Sequence, residues 1–226
     1  QGGWAPRRRP AAHRDGRNAR VERAGTGLIA DIGPAPFAPV STAVHAGCLS
    51  FELSSGQFPI VVNCGAPGLD HDDWRSFSRS TQAHSTLCFE DTSSAEFASF
   101  TEGGFGDATL VGPQNVQGGL SEDGAVIEGS HGGYAARFGI GHARRIEVSP
   151  DGLAIRGEDT LGASRGSKAG EGGAFAIRFH LHPSVGAQVS ADGASIDLIL
   201  PNRETWRLSS NAPAIEVHES VFLADE

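Results

Sequence analysis

The sequence has no methionine, one lysine (Lys168), one tyrosine (Tyr134) and three cysteines in 226 residues. No apolar run approaches the ~18 residues needed to span a bilayer, which excludes a helical membrane protein as the reading of these residues. The opening QGGWAPRRRP lacks the apolar stretch of a secretory signal. A chain that starts at Gln1 and contains no methionine is expected to be processed or to be a piece of a longer protein, so its address is not legible from its start. Cys48, Cys64 and Cys88 stand at no metal spacing and fall inside apparent strands, which points to buried thiols; a Cys48–Cys64 bridge stays open, because neighbouring strands could carry both. A formal net charge of −9 argues against nucleic acid as the main partner and is compatible with a periplasmic or cell-envelope address.

What the chain does have is glycine, 31 residues of it, a load that suits many turns and short strands better than a helical bundle. The length admits one large all-β domain or two ordinary ones. Residues 1–25 differ from the rest: Arg7, Arg8, Arg9, Arg14, Arg17, Arg20 and Arg23 crowd a segment poor in apolar residues, which reads as a solvated basic linker, with a basic arm touching an acidic polymer as the functional alternative. From Thr26 onward, short runs recur between turn signals: TGLIADI, CLSFEL, FPIVVN, STLCFE, AVIEG, YAARFGI, RRIEVS, LAIRGE, AFAIRFHLH, SIDLIL, ETWRL and AIEVHESVF. That spacing predicts a large antiparallel two-sheet β-sandwich, or a barrel, over residues 26–226. Only residues 72–84, DDWRSFSRSTQAH, suit a helical turn or two. VSPDGLAI at 148–155 and VSADGASI at 189–196 repeat valine, serine, Asp-Gly and isoleucine at equal offsets, each a hairpin turn. The glycine-rich stretch 100–133 and GASRGSKAGEGG at 162–173, which holds Lys168, read as long loops.

Histidines carry most of the chemical signal. In AFAIRFHLHP, strand alternation puts Phe175, Ile177, Phe179 and Leu181 on an inner face and Arg178, His180 and His182 on the other. Such an H-x-H pair chelates a metal if a third ligand arrives, and is otherwise the polar face of an exposed strand. His45 heads an expected core strand, Asn63 ends the strand returning from the SSGQ turn, and His84 enters the next one. Those three converge on one sheet rim, as a metal or catalytic cluster or as hydrogen-bonded structural groups. His71, His131, His142 and His218 are scattered.

HAGCLSFELSSGQFPIVVNCGAP followed by WRSFSRSTQAHSTLCFEDTSS resembles the C-terminal β-sandwich of heparinase II/III-like polysaccharide lyases, and the likeness runs more loosely through YAARFGIGHARRIEVSPDG, RGEDTL and AIRFHLHP to IEVHESVF. The resemblance implies a partner domain, an α/α toroid N-terminal to this module, and an acidic polysaccharide substrate cleaved by β-elimination. It makes His45 and His84 the family's zinc-holding histidines and puts Asn63 in place of its zinc-holding aspartate. Asn63 brings no charge to a metal, Gly47 replaces the motif's usual acid, and Ala43 stands where active members carry a catalytic histidine.

Elimination next to a uronate needs its carboxylate neutralised, the C5 proton removed and O4 protonated, and each acid or base contributes about two to four orders of magnitude. Tyr134 reads as a core or turn residue. Arg75 and Arg79 are the candidates to meet the carboxylate, or else they brace the loop, and His84 is the candidate catalytic residue. The expectation is therefore a lyase module that lines the cleft, binds zinc weakly or not at all, and is inactive without the toroid; the alternatives are a carbohydrate-binding or assembly module and an enzyme that uses His84 with His45.

Overall fold

The computed structural model describes residues 12–36, 41–67, 72–98, 109–164 and 172–223, which are mostly β. Alternation in the sequence becomes alternation of burial: in β2 (Asn18–Arg23) and β3 (Thr26–Asp31), Ala19, Val21, Leu28 and Ala30 turn inward while their neighbours face out. With β1 (Ala12–Asp15), β4 (Phe51–Ser55), β5 (Phe58–Val62) and β14 (His180–Leu181) they make a six-stranded sheet in the order β1-β2-β3-β4-β5-β14. β9 (Gln117–Leu120), β10 (Val126–Tyr134), β11 (Ile140–Val148) and β12 (Ile155–Ala163) form a four-stranded antiparallel meander. β15 (Gly186–Val189), β16 (Ser195–Ile199) and β17 (Thr205–Ser209) form a three-stranded sheet. β6 (Leu87–Phe89) pairs with β13 (Phe175–Ile177), and β7 (Glu96–Ala98) with β8 (Thr109–Val111).

One core cluster draws on the three larger sheets, through residues such as Val21, Leu28, Ile60, Ile127, Ile146 and Leu198. Each such side chain gains roughly 1.5–3 kcal/mol from burial, and this joint apolar contact holds the sheets together. Cys48, Cys64 and Cys88 are buried free thiols, and burial pushes Cys48 up to about 12.

Several sequence expectations change here. The supposed linker is partly sheet: residues 18–23 form a strand whose Ala19 and Val21 are in the core, because the polar Asn18, Arg20 and Glu22 alternate with those apolar residues. The glycine-rich stretch 100–133 is not one loop, since β8, β9 and most of β10 lie within it; residues 100–108 are outside the described ones. Glycine serves packing there, as a Cβ on Gly118 would meet the Ile32 carbonyl and one on Gly129 the Leu49 side chain. YAARFGI contains the short helix α2 (Ala135–Phe138), ended by Gly139 at φ 71°, before β11 begins. AFAIRFHLH is two strands in two sheets, so its period of two breaks at Arg178 and Phe179: Phe175 is exposed and His180 half-buried. AIEVHESVF has no regular structure. Lys168 and His71 lie outside the described residues.

The helical expectation holds, as α1 (Asp72–Arg79) and a 3-10 turn over Thr81–Ala83. Both Ser-x-Asp-Gly hairpins are present, and SEDG at 121–124 is a third of the same build. In each, the serine hydroxyl donates to the aspartate and accepts a backbone N–H of the returning strand.

Candidate functional site

His45 sits in the loop ahead of β4, not on a strand, and His84 follows the 3-10 turn. Their rings meet edge-to-face, centroids 5.3 Å apart, with His45 Nδ1 3.3 Å from His84 Nε2. The protons follow from the outer partner. His84 Nδ1 lies 2.7 Å from the Ser80 carbonyl, which only accepts, so Nδ1–H donates there and Nε2 accepts from His45 Nδ1–H. The remaining lone pair of the relay is then on Nε2 of the half-exposed His45. Burial, with the Arg79 charge behind it, pulls His45 down to about 4; burial and the nearby His45 do the same to His84, also to about 4. Gly47 makes room for this pairing, because a Cβ there would lie 2.5 Å from His84 Cδ2.

Arg79 is 1% exposed and turned inward, its Nε donating to the Val44 carbonyl at 3.1 Å and its Nη2 to the Ser41 carbonyl at 3.1 Å. Its own carbonyl accepts the Ala46 N–H at 2.8 Å, so this residue fixes both flanks of His45 and is spent as a brace. Arg75, four residues earlier on α1, is half-exposed. Tyr134 is fully buried and donates to the Leu87 carbonyl at 3.0 Å; burial raises its pKa further, which removes it from proton transfer.

Asn63 stands next to the pair but is committed elsewhere. Its Oδ1 accepts the Ser85 N–H at 2.9 Å and its Nδ2 donates to Glu52 at 3.1 Å. Two histidines fit a zinc ion, and the third donor does not: a neutral amide, oriented by two other bonds, replaces a carboxylate. No group of three histidine, cysteine or acidic residues among the described residues is arranged to hold a metal.

A second histidine pair, on β10 and β11, escaped the sequence reading. His131 and His142 are directly opposite in the hairpin register, with Nε2 and Nδ1 3.4 Å apart. The Gly133 N–H donates to His131 Nδ1 at 3.1 Å, which sets one direction for the whole chain: His131 Nε2–H to His142, and His142 Nε2–H to Asp159 at 2.6 Å. Arg144 clasps Asp159 with Nε at 2.8 Å and Nη2 at 3.0 Å, while its Nη1 donates to the carbonyls of Leu49 and Ser85 at 2.9 and 3.0 Å. Burial alone would raise the Asp159 carboxyl; the bond from His142 and the charge and bonds of Arg144 outweigh it and hold it down to about 2. The usable signal was symmetry, since both histidines stand at equal distance from the α2 turn.

His180, from the H-x-H pair, packs below the rim. Its Nε2 donates to the Gln82 carbonyl at 2.9 Å, and its Nδ1 faces Ser220 Oγ at 2.9 Å and Cys64 Sγ at 3.3 Å. It thereby ties the 3-10 turn that carries His84 to the C-terminal segment, while His182 bonds Ser184 instead.

Antiparallel sheets with a histidine pair at one rim make this a β-rich module. The family model for the heparinase II/III-like C-terminal domain matches residues 5–226, and this chain belongs to that family. FtsZ-localized protein C of Caulobacter vibrioides is 28% identical over 204 residues, covering 85% of this chain and 34% of that protein. The crystal structure of heparan sulfate lyase HepC from Pedobacter heparinus superimposes with a TM-score of 0.63 at 13% identity, over 94% of this chain and 30% of that one. A mutant of the same lyase gives 0.58 at 14% identity, over 88% and 28%. The chain thus spans about a third of the length of these relatives.

Proposed function

We propose that this chain is the C-terminal, sandwich-like module of a heparinase II/III-like protein, that it lines a cleft for acidic polysaccharide, and that it does not turn that polymer over alone. The observation that carries the reading is the rim itself: the His45–His84 relay ends on Nε2 of the half-exposed residue His45, next to the helix that carries Arg75. In this reading His45, not His84, is the group that meets substrate, because both nitrogens of His84 are used within the fold. Arg75 is the remaining candidate for a uronate carboxylate, Arg79 being buried as a brace of the His45 loop. With Tyr134 buried, the acid and base needed for elimination are incomplete among the described residues, and in this reading the missing groups belong to the α/α toroid expected in the parent protein. Such a substrate accords with a periplasmic or envelope setting.

Unsaturated-uronate absorbance, followed with heparan-type glycans, alginate and bacterial acidic glycans, tests this: no turnover is expected from the chain alone, and turnover overturns the division of labour. A second reading, a non-catalytic assembly module, is favoured by the likeness to FtsZ-localized protein C. Cosedimentation with FtsZ polymers, with no affinity for any uronate glycan, would replace the first reading by the second.

A further inference from the structure

Helix α1 leaves two large aromatic side chains in solvent, Trp74 at 42% and Phe77 at 38% exposure. They are one turn apart and meet edge-to-face, ring centroids 5.9 Å apart and planes at 80°, so each fixes the other's orientation. Arg75 lies between them in sequence, on the same half-exposed stretch of the helix. The Arg75 charge reaches Arg79, and the Arg79 charge reaches His45.

The helix is also firmly placed. Its last residue bonds Ala46 and Val44 on either side of His45, and the Phe77 carbonyl accepts both the N–H and the hydroxyl of Ser80, the residue whose own carbonyl holds His84. At ~1.5 Å rise per residue, Trp74 is about 8 Å along the axis from the Arg79 end that is fastened beside His45.

We propose that Trp74, held edge-to-face by Phe77, is a stacking platform for one pyranose ring of an acidic polysaccharide, with Arg75 meeting that ring's carboxylate, and that the chain continues from there towards His45. This rests on the polysaccharide reading above and adds the subsite. A flat aromatic face covers the C–H face of a sugar ring, displacing water from both, and a guanidinium forks onto a carboxylate; the combination selects a uronate over a neutral hexose.

The test is calorimetric titration of the chain with a heparan-type hexasaccharide, an oligomannuronate and, as the neutral control, cellohexaose. Trp74→Ala is expected to weaken the acidic ligands ~10-fold or more and Phe77→Ala somewhat less, in line with the loss of a stacked face. Arg75→Gln should remove most of the preference for acidic over neutral sugar. Trp206→Phe serves as the control that leaves affinity unchanged, and unaltered thermal unfolding of the variants separates loss of the platform from loss of the fold. Acidic ligands that bind equally well to Trp74→Ala and Arg75→Gln overturn the platform while the polysaccharide reading stands. Cellohexaose bound as tightly as the uronates overturns the role of Arg75. Absence of binding to any of the three overturns both readings, and leaves these aromatics as a face covered by the rest of the parent protein.

Discussion

Two histidine pairs in this molecule have almost the same geometry and opposite surroundings. His45 and His84 meet at 5.3 Å and 85°, His131 and His142 at 5.2 Å and 84°, and in each a ring nitrogen faces the other ring's at 3.3 or 3.4 Å. What separates them is the group at the end of each relay. The first closes on a backbone carbonyl, that of Ser80, and leaves a lone pair on the half-exposed His45. The second begins on a backbone N–H and ends on a largely buried carboxylate held by a guanidinium, so every ring nitrogen in it is used within the fold. Ring-to-ring geometry therefore says little about role; the end groups leave one pair with an uncommitted lone pair and close the other within its own sheet.

The sharpest way to break the comparison is to open the buried relay. Asp159→Ala leaves Arg144 uncompensated and His142 without its acceptor, and is expected to cost about 3–5 kcal/mol in denaturant unfolding. Because Arg144 also holds the carbonyl of Ser85, next to His84, the same change should disturb the His84 imidazole resonance. A loss below about 1 kcal/mol would show that the two pairs are not different in kind.

Acid comes next in size. Burial lowers His84 to about 4 and His131 to about 3, well below the ordinary 6.5, so the unfolded chain binds protons that the folded chain refuses. Stability is then level above about pH 7 and falls on acidification through 6.5 towards 4, by up to about 1.4 kcal/mol per pH unit for each histidine. The depressed Asp159 adds a separate loss, from 3.8 down through about 2. Unfolding titrations from pH 7.5 to 4.5 should show the upper window, and His131→Asn should flatten it more than His45→Gln.

Most strands were legible in the sequence because one face of each is buried: β2 and β3 read as alternation, and the hairpin turns as Asp-Gly. Failures came where long-range packing decides. Gly118 and Gly129 look like loop residues and are strand residues, since what they accommodate is the side chain or backbone of another element. The first pair was legible through the spacing of His45 and His84 and through the family likeness, but the commitment of Asn63 to Ser85 and Glu52 was not, because it needs the register of β4 against β5 and the position of a turn outside them. Arg79 reads like Arg75 in sequence; only the docking of α1 turns one inward and leaves the other half-exposed.

Gly47 offers a smaller perturbation confined to the open pair. Alanine there places its Cβ against His84 Cδ2, forcing the ring to tilt away from Ser80 or from His45, at an expected cost of about 1–3 kcal/mol in thermal or chemical unfolding. Nitrogen-15 spectra of the imidazoles would report the change directly, as His84 loses its fixed tautomer while His131 and His142 keep theirs; a shift at the buried pair instead would mean that the two relays move as one.

The smallest effect on stability is expected at His45 itself, the residue that the comparison singles out for contact with a ligand. His45→Gln removes a half-exposed ring and one long hydrogen bond, so unfolding should change by no more than about 1 kcal/mol. His84 keeps its bond to Ser80, so its tautomer should survive. Affinity for an acidic oligosaccharide should nevertheless fall severalfold. A group that costs little to the fold and much to the ligand is a site residue; if His45→Gln instead destabilises the protein as Asp159→Ala does and leaves binding intact, then the pair at the rim is a strut like the pair in the core, and the lone pair on His45 Nε2 serves no partner.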